Sequence, residues 1–243
     1  MTLDPKTFYN NTMPGKQGED YEHARWHATP LLKAQYYMML ETLERFVLPL
    51  ARSASSVLEV GPGPGTWTKQ LLRVNTTAQY TLLDISREML DRARKALKDY
   101  SSITYVEEDL TAYAPNRSYD FFFSSRALEY MPDKKAALRV IAQSLSTGAY
   151  GAIVTKMPKE FFYKLRGRAV PEFHRGQISP QDLANIMRDA GLTVETVRVA
   201  TATVPGLRSP LLNRLVHAVL LLFPLVPPLT VFAESYVVVF KKL

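Results

Sequence analysis

Glu59-Val60-Gly61-Pro62-Gly63-Pro64-Gly65-Thr66 is the stretch that decides the fold. An apolar run, residues 56–60, leads into three glycines at alternate positions, and a helical pattern follows. Glycine permits the tight turn and lets a ligand lie against bare backbone. A helix start behind the loop presents unpaired N–H groups. Working outward, β-rich runs recur at 80–84, 103–106, 119–123 and 151–154, then at 193–200 and 235–241. Helical patterns separate them: 31–50, then 87–100 with Met89, Leu90, Ala93 and Leu97 on one face, then 133–145 with Ala137, Leu138, Ile141 and Leu145. A further helix, 180–190, is bounded by Ser179 as N-cap, Pro180 at its first position and Gly191 just past its end. Near-continuous apolar strands alternating with helices predict an α/β domain whose mostly parallel sheet is covered on both faces.

The loop reads GxGxG rather than the GxGxxG of a dinucleotide site, where a pyrophosphate rests on the helix start. Glu59 would repel a pyrophosphate and suits a cationic ligand instead. Asp84 closes the second strand 19 residues after Gly65, where its carboxylate can grip both hydroxyls of a ribose. Together the two acids ask for a nucleoside that bears positive charge and no phosphate. S-adenosyl-L-methionine (SAM) is such a molecule.

In order and spacing, residues 57–156 resemble the class I SAM-dependent methyltransferases. The resemblance is carried by VLEVGPGPG (57–65), LLDIS (82–86), EEDL (107–110), YDFFFSSRALEYMPD (119–133) and YGAIVTK (150–156). The segment 119–133 is similar to the ubiquinone- and menaquinone-biosynthesis-like branch that acts on small molecules. The resemblance implies one domain over 1–243. Within it, 1–52 would form N-terminal cap helices, 53–156 a SAM-binding core, and 157–178 and 201–233 cap or lid insertions. Residues 179–200 and 234–243 would complete a Rossmann-like sheet of seven strands, mostly parallel, with one antiparallel strand near its edge. The resemblance also places Gly61, Gly63 and Gly65 beneath the methionine part of the cofactor, with Glu59 beside it. Asp84 would bind the ribose and Ile85 lie against the adenine. Asp109 would bond the adenine amino group, or simply cap its own turn, and Leu110 would pack on the ring. Ser125 and Arg126 would border the methionine and the substrate. Tyr21, Arg25 and Trp26 belong to a segment that often closes over the cofactor in this family. Trp67 reads as a core anchor.

Methyl transfer from a sulfonium is an in-line displacement whose leaving group is already activated, so positioning and water exclusion can supply most of the acceleration. A general base is needed only where the nucleophile must lose a proton. The candidate catalytic residues are His174, Tyr130 and Glu129. His174 lies in a loop (172–179) that the resemblance sets facing the acceptor pocket; a hydrogen bond within the loop is the alternative. Glu129-Tyr130 stands where the family commonly has Glu-His, and a phenol is a reluctant base near neutrality. Tyr130 could still orient an acceptor. His217, in an apolar run, reads as buried or interfacial. His23 and His27 share a helix face without a third ligand, so no metal site is expected. The expected acceptor is an oxygen or carbon atom of a small hydrophobic, lipid- or isoprenoid-like molecule. A polar natural product or sugar is the alternative, as is SAM binding without catalysis.

Composition sets the outer limits. With 243 residues and 47% hydrophobic content the chain can bury a sizeable core, which excludes disorder. The absence of cysteine excludes a disulfide scaffold and a thiol nucleophile. The first 20 residues have no apolar core and so no secretory signal, which makes the cytoplasm the expected compartment. The net charge of +7 sits in the second half, where residues 126–243 hold 16 basic and 8 acidic side chains. There the run 210–232, PLLNRLVHAVLLLFPLVPPLTVF, is interrupted by Arg214, His217 and three prolines. A spanning helix needs ~20 apolar residues, so this run reads as a lid or as a helix lying in a membrane interface. Lys156, Lys159, Lys164, Arg166, Arg168 and Arg175 interleave with Phe161, Phe162, Tyr163 and Phe173. An anionic membrane surface attracts such a segment. Nucleic acid is disfavoured as a partner, because a Leu/Val/Pro-rich insertion serves a polar duplex badly and no Asn-Pro-Pro-Tyr-type element follows the fourth strand.

Overall fold

In the computed structural model, which describes residues 5–7, 10, 21–159, 167, 169–170, 176–204 and 206–243, the apolar runs are strands of one sheet. They are β1 (Ser56–Val60), β2 (Gln79–Asp84), β3 (Ile103–Glu107), β4 (Tyr119–Ser125), β5 (Leu145–Lys156), β6 (Leu192–Ala202) and β7 (Ala233–Lys242). Their spatial order is β3-β2-β1-β4-β5-β7-β6. The pairings of β1, β2, β3, β4 and β5 with one another are parallel, whereas β7 runs antiparallel to both β5 and β6. The carboxyl ends of β1, β2, β3 and β4 therefore meet along one rim of the sheet, where ligands bind in open α/β folds.

Alternation along the strands divides the core in two. Leu58, Phe122, Ile153 and Val238 pack on one face, and Val57, Phe121, Phe123 and Val237 on the other. From residue 21 onward the α-helices are α1 (Tyr21–Trp26), α2 (Pro30–Phe46), α3 (Leu48–Ala51), α4 (Thr68–Val74), α5 (Arg87–Ala96), α6 (Lys134–Ser144), α7 (Pro180–Asp189) and α8 (Pro210–Leu220). α6 and α7 cover the first face with Leu138, Ile141, Leu183 and Met187, while α4 and α5 cover the second with Leu71, Leu72, Leu90 and Ala93. Caps fix where these helices begin. The side chains of Ser86, Asp133 and Ser179 accept the N–H groups of Met89, Ala136 and Asp182.

Two elements differ from the sequence expectation. The helix expected over 31–50 breaks at Val47, because Pro49 has no N–H to donate within a continuing helix and instead opens the short α3. The fifth strand begins at Leu145 rather than Gly151; an irregularity lies between its Tyr119 and Phe121 pairings, and the early part is half exposed, so its apolar pattern is weak. Among the described residues no helix is long and apolar enough to cross a membrane.

Candidate cofactor and acceptor site

The glycine loop leaves β1 under tight restraint. Gly61 N–H donates to Leu83 O at 2.8 Å and Gly65 N–H to Pro62 O at 3.1 Å, and all three glycines have positive φ. At Gly61 the need is absolute, since a Cβ there would lie 2.5 Å from Ala127 Cβ. This close approach ties the loop to the end of β4. Above the loop is a cavity of about 400 Å³, bordered by the carboxyl ends of β1, β2 and β4, the turn after β3, and α1.

Two buried acids lie at its base, Asp84 bordering the cavity and Glu59 behind it at the end of β1. Asp84 accepts from Ser86 N–H at 2.9 Å and, more distantly, from Gly63 N–H at 3.4 Å. Burial pushes its carboxyl up to about 6 against these bonds. Glu59 is almost wholly buried, and its Oε2 has no hydrogen-bond partner. Burial pushes its carboxyl up to about 8, opposed by the Thr68 hydroxyl and reinforced by the charge of Asp84. An orphaned carboxylate oxygen below a glycine loop is a place for a cation or a hydrogen-bond donor.

α1 closes one side. Trp26 packs edge-on against Trp67 at 5.3 Å, Trp67 stacks on Tyr36 at 5.3 Å, and the Arg25 guanidinium lies 4.2 Å above the Trp26 ring. Tyr21 reaches in so far that burial raises its phenol above the usual range, the nearby Arg25 opposing.

On the far side Arg126 has φ +66°, a strained left-handed backbone that a non-glycine residue holds only when its surroundings enforce it. They do: its N–H donates to Val154 O at 2.9 Å, and its guanidinium donates to Glu129 Oε1 at 2.6 and 2.8 Å. Glu129 Oε2 in turn accepts from Thr155 Oγ1 at 3.1 Å and Lys156 N–H at 3.2 Å. Behind this pair a smaller cavity is bordered by Arg25, Gln35, Arg126, Lys156 and Glu234. Lys156 and Lys159 both pair with Glu234. Burial alone would raise the Glu234 carboxyl, but the two ammonium groups and their hydrogen bonds outweigh it and hold it down at about 2.

Residues 57–148 match the family model described as a methyltransferase domain. This segment is similar to a methyltransferase domain. Malonyl-[acyl-carrier protein] O-methyltransferase 1 of Ilyobacter polytropus is 29% identical over 51% of this chain and 46% of its own length. Trans-aconitate 2-methyltransferase of Azoarcus sp. is 31% identical over 44% of this chain and 41% of its own. The chain thus spans about half the length of the curated relatives it matches. Among solved structures, magnesium protoporphyrin IX methyltransferase from Synechocystis PCC 6803 with bound SAH superposes with a TM-score of 0.63 at 14% identity, over 98% of this chain and 97% of that one. N-methyltransferase NodS from Bradyrhizobium japonicum WM9, in complex with S-adenosyl-L-homocysteine, gives 0.62 at 13% identity over 96% and 98%. These likenesses extend the methyltransferase fold beyond the matched segment.

Within this methyltransferase fold, Tyr21, Arg25, Gly61, Gly63, Asp84, Ile85, Asp109, Leu110, Ser125, Arg126 and Tyr130 all border the larger cavity. Three candidates do not. Glu59 lies beneath the loop, and the missing Cβ of Gly65 faces Leu97, 3.1 Å from its Cδ1, so Gly65 seats the loop on the end of α5. Glu129, expected among the catalytic residues, has both oxygens engaged in holding Arg126 and the end of β5. Asp109 caps its own turn, accepting from Thr111 N–H at 2.7 Å and Thr111 Oγ1 at 2.6 Å, while still bordering the cavity. Trp67 is both a buried anchor and a wall of the site. His174 lies outside the described residues, as do Phe161, Phe162, Tyr163, Lys164, Arg166, Arg168, Phe173 and Arg175. Sequence reasoning missed Met89 and Thr66, which border the cavity from the starts of α5 and α4, and the Lys156–Glu234–Lys159 cluster. Helix-start positions after each strand could have signalled the first two. Nothing local signals the cluster, whose members come from β5, the segment after it, and β7.

Proposed function

We propose that this protein transfers a methyl group from SAM to an oxygen or carbon atom of a small hydrophobic acceptor. The observation that carries the reading is the pair of buried acids under the glycine loop. Asp84 makes the floor negative at neutral pH, and Glu59, protonated there, gains its charge when a cationic group lies beside it; both suit a cationic nucleoside and oppose a phosphate. The donor set fits the whole cofactor: Glu59 and the loop for the amino-acid end, Asp84 for the ribose, and Ile85, Met89 and Leu110 for the adenine. When bound, SAM supplies an electrophilic methyl group on a sulfonium that departs as a neutral thioether.

The chain's own work is binding, orientation and exclusion of water. Tyr21, Arg25 and Trp26 cover the cavity, and Ser125, Arg126 and Tyr130 border the acceptor side. Glu129 is a positioning residue that acts through Arg126. His174 is proposed as an acceptor contact, and 201–233 as part of the cap. A second reading has a specific observation behind it: Arg25 and Arg126 both border the larger cavity, which suits a carboxylate-bearing acceptor. The names of the malonyl-carrier and trans-aconitate relatives point the same way.

The deciding experiment incubates the protein with methyl-labelled SAM and host extract and partitions the label. Label in the organic phase is the expected result; label confined to aqueous small molecules selects the carboxylate reading. At the cofactor end, Asp84→Ala weakens SAM binding at least tenfold, about 1.4 kcal/mol by calorimetry. Unchanged affinity would refute the ribose assignment.

A further inference from the structure

α8 faces the wrong way for an ordinary surface helix. It turns Asn213 and His217 inward with Leu220, while Leu211, Leu215, Val219, Leu222, Phe223 and Val226, on the helix and the turn after it, are each more than half exposed. This orientation is locked. The Asn213 side chain accepts from Val204 N–H at 2.8 Å and donates to Leu207 O at 3.1 Å and Ser209 O at 2.9 Å. His217 Nε2 lies 3.1 Å from Thr42 Oγ1 of α2. Rolling the helix to bury its leucines would break these bonds and strand both inward side chains without them.

We infer that the outer face of α8 and the turn after it docks on an anionic lipid bilayer. The charge pattern selects this occupant. Residues 196–233 contain no acid, and the exposed Arg208 and Arg214 flank the apolar strip. Apolar bulk between arginines matches acyl chains beneath acidic headgroups. A second copy of the chain would bring the same arginines into mutual opposition. At 11 residues, α8 is roughly 16 Å long, too short to span a bilayer and suited to lie in its surface. The strip is also linked to the acceptor side of the site. Gln35, which borders the inner cavity, donates to Thr203 Oγ1 at 3.4 Å in the segment leading to α8. Docking there would bring the site to where a hydrophobic acceptor resides. The docking itself does not depend on the methyltransfer reading.

Sedimentation of the full chain with vesicles tests the inference. Phosphatidylcholine vesicles containing phosphatidylglycerol should bind it at least ~10-fold more tightly than phosphatidylcholine alone, and high salt should narrow the difference. The triple variant Leu215→Ser, Val219→Ser, Leu222→Ser should lose at least ~10-fold in partitioning, and Arg208→Gln about fivefold. Calorimetric SAM binding by the same variants reports folding and an intact cofactor site, so failure of docking and failure of the methyltransferase reading are separable. Wild-type protein that ignores anionic vesicles overturns the inference. So does a triple variant that folds and still partitions like wild type. A wild-type dimer in light scattering that this variant converts to monomer, without vesicle binding, would assign the strip to self-association instead.

Discussion

Glu59→Gln isolates the most perturbed acid in the site. The Glu59 carboxyl moves from the ordinary 4.5 to about 8 because the folded chain buries it, with the Thr68 hydroxyl opposing and Asp84 adding to the shift. A folded-state value above the unfolded one means that the native chain binds the extra proton between those two values. Stability due to this group is therefore complete below about pH 4.5 and is lost as pH rises toward 8. The full shift corresponds to ~5 kcal/mol, and allowing half for relaxation around the charge leaves ~2 kcal/mol. For a chain of this size that is roughly 4–8 °C in Tm. The glutamine keeps the shape without the charge, so wild type should fall behind Glu59→Gln by that margin between about pH 5 and pH 9. Asp84 titrates in both proteins and largely cancels in the difference. Thermal melts across the range, without and with SAM, supply the measurement. With SAM present at high pH the gap should narrow, because a cation compensates the charge only in wild type. Parallel melting curves for the two proteins at every pH would refute the reasoning.

Two further perturbations test other parts of the site and its frame. Gly61→Ala combines a φ of +69° with a Cβ 2.5 Å from that of Ala127; the expected cost is about 3 kcal/mol, or roughly 6–12 °C in Tm, together with loss of SAM binding. A melt within ~2 °C of wild type would show that the loop yields. His217 is held down to about 4 by burial, with Arg214 contributing and the Ala200 carbonyl opposing. Its ring is therefore neutral at neutral pH, and the 3.8 Å approach of Glu41 to Nδ1 is not an ion pair there. A depressed folded value gives stability that is present above about pH 6.5 and lost as pH falls toward 4, at most ~3 kcal/mol. His217→Leu should flatten denaturant-measured stability across that acid range; an unchanged slope would assign the acid sensitivity elsewhere.

What the sequence disclosed and what it hid divide along physical lines. Residues 56–60 and 119–123 were legible because their side chains are buried on both faces of the sheet, which leaves an unbroken apolar run. The loop of Gly61, Gly63 and Gly65 was legible because positive φ restricts the choice of residue so strongly. The break at Val47 is written in Pro49, but the surrounding leucines mask it. Glu129 is a catalytic candidate in the sequence because Glu129-Tyr130 stands where the resembling family commonly has Glu-His. Besides the nearby Arg126, its partners are Thr155 and Lys156, and these depend on how β4 and β5 register, which no local pattern encodes. The inward turn of Asn213 and His217 was equally hidden. Composition marks residues 210–232 as apolar but cannot say which side of a helix the molecule shows to the outside.

The place of β7 has a consequence for how the chain is made. Residues 233–242 fill the gap between β5 and β6, so β6 has no sheet neighbour until that segment emerges from the ribosome. During synthesis β1 to β5 can assemble first, with the cofactor rim already shaped. β6 must then wait, its pairing edge open, for one later strand to seat it. Chaperone demand should therefore concentrate between the synthesis of β6 and that of β7, and a ribosome stalled just before residue 233 should present a nascent chain that already binds nucleoside yet sticks to holdases.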